Sequence, residues 1–283
     1  MIALGADDPR YPKGLGDLPK PPDPLWIDGD VAALERPAVA IVGTRRMTGY
    51  GERVAHDLAR ACATAGIAVV SGFAQGIDTA AHRGTLDGAG ATIAVLGESI
   101  PMFLATVRGQ RRPLVPRIRE CGALVSEFGA PFTARGWTFA QRDATIAALA
   151  SVVVVVEAGE TSGALITAGH ARRLGRRLYA VPGPLGSSAS VGTNALIAQG
   201  LATALVSADQ LTRAVGVATP GRDDALADSG ADPLLDALRD GPLGLDELAR
   251  RLRISAGAVS GRAVLLMLRG AVTTLPDGRL CRR

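Results

Sequence analysis

The 283-residue chain has few aromatic residues, few cysteines and almost no lysine. Phenylalanine, tryptophan and tyrosine make up 4% of the residues and apolar residues make up 47%, so the core must be aliphatic. Cys62, Cys121 and Cys281 are far apart and form no C-x-x-C pair. An odd number of cysteines without that spacing indicates a reducing compartment, and we therefore expect a cytoplasmic protein.

Signals for metal binding, membrane insertion and secretion are also missing. His56, His82 and His170 lack the spacing of metal ligands, so we expect no metal site. The longest apolar run, at 151–158, is far too short to span a bilayer. The first ten residues lack the basic and apolar regions of a signal peptide.

Arginine accounts for 29 of the 31 basic residues, which gives the surface planar groups that bind phosphate in a bidentate manner. The net charge of +4 is too small for a polycationic coat around nucleic acid. Residues 217–232 carry four aspartates and one arginine. This acidic, polar stretch predicts a linker between two mildly basic domains.

Apolar strands and helices alternate repeatedly between residues 38 and 207. This alternation predicts parallel strands with helices on both faces, and we expect a doubly wound, Rossmann-like, mostly parallel sheet. The predicted strands are 38–43, 67–72, 91–97, 122–128, 151–159, 176–183 and 202–206. The predicted domains are an irregular leader with one short strand near 25–29 (1–36), a Rossmann-like domain (37–216), a linker (217–232) and a winged helix (233–283).

The C-terminal unit is predicted from two helical stripes and one turn. One stripe comprises Leu245, Leu248 and Leu252, and the other comprises Val259, Val264, Leu265 and Leu268. The sequence Pro-Asp-Gly at 276–278 predicts a hairpin turn between two short strands. Helices followed by a hairpin are the order of a winged helix.

Ligands in a doubly wound sheet bind beyond the carboxyl ends of its strands. Glycines there let main-chain amides approach an anion, and helix starts at Gly76 and Ser162 add partial positive charge. We expect the amides of two glycine turns, with Arg45 and Arg142, to do most of the holding, and Phe139 to stack on a base. The predicted binding residues are Gly43, Thr44, Arg45, Arg46, Ser71, Gly72, Gly76, Phe139, Arg142, Ser162, Gly163 and Thr167.

Several of these residues also have a purely structural interpretation. The glycines can serve tight turns alone, Ser162 can cap a helix, and Phe139 can belong to the core. No G-x-G-x-x-G, P-loop lysine or Ser/His/Asp set is present, and a possible carboxylate pair, Glu127 and Glu157, has no nucleophile beside it. We therefore expect a site that holds a ligand without reacting, with no cofactor and no catalytic residue.

These segments, in this order, resemble the DNA-processing protein A family (DprA, also called Smf). The resemblance covers about 11–211, and the C-terminal unit looks like the winged helix of that family. The matching segments are 40–51, 69–86, 90–97, 122–128, 152–183 and 191–200.

The resemblance implies a protein that binds and protects incoming single-stranded DNA and loads the RecA recombinase during natural transformation. It also implies contact with single-strand-binding protein, a homodimer and no nucleotide hydrolysis. It assigns the DNA pocket to the two glycine turns and to the helix start that carries Phe139 and Arg142. A candidate dimer face comprises Leu196, Ile197 and Leu201.

The chain departs from the family pattern in two places. Asp143 and Ala144 stand where the family usually has asparagine and arginine, which lowers the positive charge expected at the pocket. Residues 98–113 replace a usual segment at the lip of the pocket, and their Arg108, Arg111 and Arg112 are expected to compensate. We also expect the N-terminal helical domain of many members to be missing.

Two alternative functions remain open. Residues 181–196 are a loose echo of the P-G-G-x-G-T-x-x-E motif of nucleotide-ribosyl hydrolases, although no glutamate follows Gly192 and Thr193. The winged helix can instead belong to a DNA-binding regulator. Its predicted recognition helix, however, has Arg262 as its one basic residue, which is poor for reading a major groove.

Overall fold

The computed structural model describes residues 1–216, 232–268 and 270–282. The chain divides into two compact units, 1–220 and 221–283. The predicted linker at 217–232 lies outside the described residues except for Asp232. That residue caps the first helix of the second unit, because its Oδ1 accepts a hydrogen bond from the Leu234 amide at 2.9 Å.

Nine strands within residues 1–216 form one sheet in the order β1-β2-β6-β5-β4-β3-β7-β8-β9. Pairs from β6 to β9 are parallel, whereas β1 and β2 run antiparallel to their neighbours. The strands are β1 (Ile2–Leu4), β2 (Leu25–Gly29), β3 (Ala38–Val42), β4 (Ala68–Ser71), β5 (Thr92–Leu96), β6 (Ala123–Ser126), β7 (Val152–Val155), β8 (Arg177–Ala180) and β9 (Thr203–Ala204). The predicted doubly wound, mostly parallel sheet is confirmed.

Helices cover both faces of the sheet, which explains why β3 and β7 are apolar at every position and buried. Helices α1, α2 and α8 pack on one face, and α5 and α6 pack on the other. The helices of this unit are α1 (Gly49–Thr64), α2 (Ile77–Asp87), α3 (Ile100–Thr106), α4 (Leu114–Cys121), α5 (Gly136–Ala148), α6 (Ala164–Arg173), α7 (Val191–Ala198) and α8 (Ala208–Val215).

The strand order reverses at β3. After β3 the chain adds β4, β5 and β6 on one side, then crosses to add β7, β8 and β9 on the other. Crossover loops therefore leave β3 and β7 in opposite directions and open a crevice at their carboxyl ends. This topological switch point fixes where a ligand site can form.

The first 36 residues were predicted as an irregular leader with one short strand, and the structure has two strands there. These residues contribute β1 and β2. Along the pairing of β2 with β6, Trp26 lies opposite Ser126 and Gly29 lies opposite Ala123. Leu4, Leu25 and Ile27 of these strands are fully buried. The strand β2 is the one that the sequence predicts. The sequence signal of β1 is weak because this strand has only three residues, and its hydrogen-bond partner is β2.

Arg176 fastens this N-terminal segment to the sheet. One of its guanidinium nitrogens donates to Asp17 Oδ2 at 2.6 Å, to the Ala148 carbonyl at 3.2 Å and to the Gly14 carbonyl at 3.3 Å. The side chain therefore links residues before β2 to the C-terminus of α5.

The second unit has the predicted winged-helix order. It comprises α9 (Pro233–Ala237), α10 (Leu245–Leu252), α11 (Ala256–Leu268) and the antiparallel pair β10 (Val272–Thr274) and β11 (Leu280–Arg282). The predicted apolar stripe of α11 is partly wrong. Val259, Ala263 and Leu266 face the core, at the i, i+4, i+7 spacing of one helix face, whereas Val264, Leu265 and Leu268 are 50–80% exposed.

In the described parts of the chain, no helix combines the length and the apolar character needed to cross a membrane.

His82 is fully buried between α2 and β5. Its Nδ1 lies 2.7 Å from Thr92 Oγ1, and that hydroxyl donates to the Val69 carbonyl at 3.0 Å. The hydroxyl must therefore accept from Nδ1–H, so the imidazole is the neutral tautomer with its proton on Nδ1. Burial lowers the pKa of His82 to about 3.

We predict that His82 makes the protein less stable as the pH falls below 6.5. The unfolded chain binds a proton at His82 near pH 6.5, whereas the folded chain binds one only near pH 3. The difference in unfolding free energy between the wild type and His82→Gln should shrink by about 2 kcal/mol between pH 7.5 and pH 5. Urea unfolding at both pH values measures this difference, and a constant difference would contradict a buried neutral imidazole.

Candidate functional site

Two adjoining pockets occupy the carboxyl edge of the sheet at the switch point. The first, the switch-point pocket, lies between the ends of β3 and β7 and has a volume of about 340 Å³. The second, the β4–β5 pocket, lies beyond the ends of those strands and has a volume of about 320 Å³. Both pockets are lined by Arg45, Ala74, Phe139 and Arg142.

Ten of the twelve predicted binding residues line these pockets. Gly72 lines the β4–β5 pocket. The residues that line the switch-point pocket are Gly43, Thr44, Arg45, Arg46, Phe139, Arg142, Ser162, Gly163 and Thr167. The fold thus brings together, at the carboxyl ends of the strands, residues that are up to 124 positions apart in the sequence. This is the edge at which ligands bind in doubly wound sheets.

Ser71 and Gly76 line neither pocket, which corrects their predicted place. Ser71 is buried, and its hydroxyl donates to the Ile41 carbonyl at 2.6 Å, which links β4 to β3. Gly76 has φ +83°, and a Cβ there would collide with the Thr44 carbonyl oxygen. Glycine at 76 thus lets the two turns approach each other, and both residues shape the pocket from behind.

The main-chain amides of the turns are mostly occupied by the protein itself. Asp78 Oδ2 accepts from the Gly72 amide at 3.1 Å and from the Ala74 amide at 3.3 Å. The Thr44 amide donates to the Glu157 carbonyl at 2.7 Å. The expectation that glycine-turn amides do most of the holding is therefore wrong for the amides of Gly72, Ala74 and Thr44.

Arg142 forms the floor shared by the two pockets. Its guanidinium donates to the carbonyls of Gly72 and Val95, and its Nε lies 3.1 Å from Asp143 Oδ1. The side chain is 7% exposed. Its charge is balanced by buried carboxylates. Arg142 therefore shapes the pockets and adds to their positive potential, but it does not act as a free cation.

Two carboxylates flank this guanidinium. Burial raises the pKa of Asp78, although Arg142 and the amides of Gly72 and Ala74 act in the opposite direction. Burial also raises the pKa of Asp143 to about 6, against the lowering effect of Arg142 and with a raising effect of Asp78. Asp143 lines the switch-point pocket, so its charge changes near physiological pH within that pocket.

Arg45 is the arginine best placed to meet an anion. It is exposed at the mouth shared by the two pockets, and its guanidinium carbon lies 5.4 Å from the centre of the Phe139 ring. Among the described residues, no carboxylate lies within ion-pairing distance of Arg45. Phe139 is 36% exposed, so the two side chains present a cation and a ring face together.

Of the three arginines expected to compensate at the pocket lip, Arg111 lines the β4–β5 pocket. It donates to the Phe73 carbonyl at 3.0 Å. Burial lowers the pKa of Arg111, and Glu98, on the same pocket wall, acts in the opposite direction. Arg108 and Arg112 line neither pocket and are exposed.

Glu127 and Glu157 do not form the carboxylate pair that their positions at predicted strand ends made possible. Glu157 accepts from the Thr48 amide at 2.9 Å and from its hydroxyl at 2.5 Å, whereas Glu127 accepts from Gln141 and Thr145. They follow β7 and β6, which are separated by three strands. Within the described residues, no group of His, Cys, Asp or Glu side chains is placed to hold a metal ion.

Sequence reasoning missed the central role of Asp78. Its position early in α2, after Gly76, is typical of a carboxylate at a helix N-terminus. The side chain instead reaches back to the preceding turn and binds its amides. The contact between Asp78 and these amides depends on the backbone path of the turn before α2. Local sequence patterns do not specify that path.

The described structure is therefore that of a doubly wound α/β protein with a cation-bearing crevice at its switch point and a winged-helix unit. A family model described as DNA recombination-mediator protein A matches residues 3–216, and one described as the DprA winged helix domain matches residues 218–278. The chain belongs to the DNA recombination-mediator protein A (DprA) family, which confirms the resemblance found in the sequence.

Individual relatives agree with this assignment. The DNA processing protein DprA of Mycobacterium tuberculosis is 39% identical over 253 residues, which cover 86% of this chain and 63% of the relative. Protein Smf of Escherichia coli is 38% identical over 199 residues, which cover 70% of this chain and 52% of the relative. The matched part of the chain thus spans less than two thirds of the length of these relatives.

Two solved structures share the fold. DNA processing protein A of Streptococcus pneumoniae superimposes with a TM-score of 0.69 at 31% identity, covering 75% of this chain and 73% of that one. The Helicobacter pylori protein of the same name superimposes with a TM-score of 0.67 at 30% identity, covering 75% and 94%. The Helicobacter pylori protein is described as binding single-stranded DNA.

We predict that Gly72→Ala destabilises the protein by about 1–3 kcal/mol through overpacking. A Cβ at this position would collide with the Arg142 guanidinium and lie 2.9 Å from Asp78 Oδ2. Gly49→Ala is the matched control, because a Cβ at the first residue of α1 meets no atom within 4 Å. Equilibrium urea unfolding measures the stability of both variants. Equal stability would show that Arg142 and Asp78 move aside at little cost, which would contradict the prediction.

Proposed function

We propose that this chain binds single-stranded DNA along the carboxyl edge of its sheet. The observation that carries the proposal is Arg45, an exposed arginine without an ion-pair partner among the described residues, placed over Phe139 at the junction of two pockets. A guanidinium binds phosphate oxygens, and a ring face stacks on an unpaired base. Membership of the DprA family and the single-stranded-DNA binding described for the Helicobacter pylori relative support it.

The chemistry of the site favours binding that is independent of base sequence. Arg45 and Arg46 meet the phosphates, the start of α6 at Ser162 and Gly163 adds partial positive charge, and Phe139 stacks on one base. Phosphates occur at every nucleotide, and every base has a ring face. Binding should therefore weaken with added salt and tolerate any sequence.

We further propose that the bound strand is passed to the RecA recombinase in the cytoplasm by a homodimer that also meets single-strand-binding protein. The family relationship supports this role. Leu196, Ile197 and Leu201 are half-buried, so part of each side chain remains available to a second copy of the chain. No catalytic residue is assigned.

The two alternative functions receive less support from the described residues. In the loop that echoes a hydrolase motif, Asn194 closes onto the main chain of Gly183 with two hydrogen bonds, at 3.1 and 3.0 Å. In the winged helix, Arg262 lies 2.9 Å from Asp232 and α11 exposes Val264, Leu265 and Leu268. An apolar helix face without a free basic side chain is unsuited to reading a major groove.

We predict that Arg45→Ala weakens binding to oligothymidylate and to mixed-sequence single strands alike, by about tenfold, through loss of a charge-assisted phosphate contact. Arg172→Ala is the control, because Arg172 is an exposed arginine in the last turn of α6, at the other end of that helix from the pocket. Fluorescence anisotropy at two salt concentrations measures both variants. If both substitutions have the same effect, or neither has any, the pocket assignment fails.

We predict that Asp143→Asn strengthens binding at pH 7.5 by about fivefold, since it removes one negative charge from beside the bound phosphates. The wild type should bind more tightly as the pH falls through about 6, where Asp143 becomes neutral, facing Arg142, Asp78 and Arg45. The affinity of the variant should change less over the same range. Anisotropy titrations at pH 7.5 and 5.5 compare them, and parallel pH profiles would contradict a role for Asp143.

A further inference from the structure

Aromatic side chains are concentrated at one corner of the carboxyl edge. The whole chain has ten Phe, Trp and Tyr residues. Three of them, Phe128, Phe132 and Trp137, form one cluster at the end of β6 and the start of α5, and Phe139 follows two residues later. In a chain so poor in aromatics, this concentration beside a candidate binding pocket needs an explanation.

Phe128 and Phe132 hold Trp137 in place. Their rings stack with centroids 4.3 Å apart and planes at 8°. The Trp137 ring meets them nearly at right angles, with centroid distances of 5.9 and 6.1 Å. Trp137 nevertheless stays 53% exposed, so a rigidly supported indole presents free surface to solvent.

This cluster is continuous with the β4–β5 pocket. Ser99, two residues beyond Gly97 of the pocket lining, donates its amide to the Phe132 carbonyl at 2.9 Å and accepts from the Phe132 amide at 3.2 Å. Gly97 also lies directly beneath Phe139, since a Cβ there would be 3.1 Å from its ring. The segments 97–99, 128–132 and 136–139 therefore form one wall.

Three arginines lie around this wall, and Glu98, in the segment 97–99, is a carboxylate on the wall itself. Arg135, the residue before α5, is exposed, and the α5 N-terminus adds partial positive charge. Arg45 and Arg111 lie at the pocket end of the same wall. Cations placed beside exposed rings are how proteins follow a single strand without reading its sequence.

We propose that Trp137 is a second base-stacking site, which receives a nucleotide of the strand after it leaves Phe139. This inference rests on the proposed DNA-binding function and extends it from the switch point across β4 and β5 to the end of β6. Arg135 and the start of α5 contact the phosphate between the two stacked bases. The site thus spans several nucleotides along the sheet edge.

The test compares the wild type with Trp137→Ala and Trp137→Phe, using oligothymidylates of about 4 and about 12 nucleotides, a range that single-strand sites cover. Trp137→Ala should weaken binding of the longer oligonucleotide about tenfold and of the shorter one less. Trp137→Phe should retain most of the affinity because its ring still stacks. Tryptophan fluorescence should be quenched by DNA in the wild type and not in Trp137→Phe, where Trp26 alone reports.

The outcomes separate the two proposals. If Trp137→Ala binds both oligonucleotides like the wild type while Arg45→Ala is weakened, DNA binding stands and the second stacking site is refuted. If the wild type binds neither oligonucleotide, both proposals fail. If Trp137→Ala changes the sedimentation coefficient and leaves DNA affinity intact, the cluster is a protein contact and the inference is overturned.

Discussion

The shape of the candidate site depends on one buried guanidinium. Arg142, on α5, reaches over the carboxyl ends of β4 and β5 to the carbonyls of Gly72 and Val95, and is flanked by Asp143 and, through the Gly72 turn, by Asp78. A buried charge of this kind is tolerated only with partners. The same contacts that keep Arg142 in place therefore fix the turn, the helix start and the pocket floor.

This arrangement divides the charges of the site into two groups. The buried group is balanced internally: Arg142 with its carboxylates, and the Gly72 and Ala74 amides with Asp78. The exposed group, headed by Arg45 above Phe139, lacks such compensation among the described residues and faces the solvent. Phosphate binding at the proposed site would then require little rearrangement, because the groups that define the pocket differ from the groups proposed to meet the phosphate.

Much of this architecture could be predicted from local patterns. Unbroken apolar runs such as 38–42 predict strands covered on both faces, and a doubly wound order places the ends of β3, β4 and β7 at one edge. Other features could not be predicted. The strand β1 gains its hydrogen bonds only from β2, which in turn pairs with the edge strand β6. The cluster of Phe128, Phe132 and Trp137 forms only when a loop folds back beside Ser99.

The sequence by itself determined the fold class, the sheet edge at which the predicted binding residues gather and the family to which the chain belongs. These follow from residue periodicity and from motifs in a fixed order, which need no knowledge of distant contacts. Only the tertiary structure decided which groups remain available to a ligand. Whether an amide, a carboxylate or a guanidinium is free depends on partners many residues away, as Asp78, Arg142 and Arg45 each show.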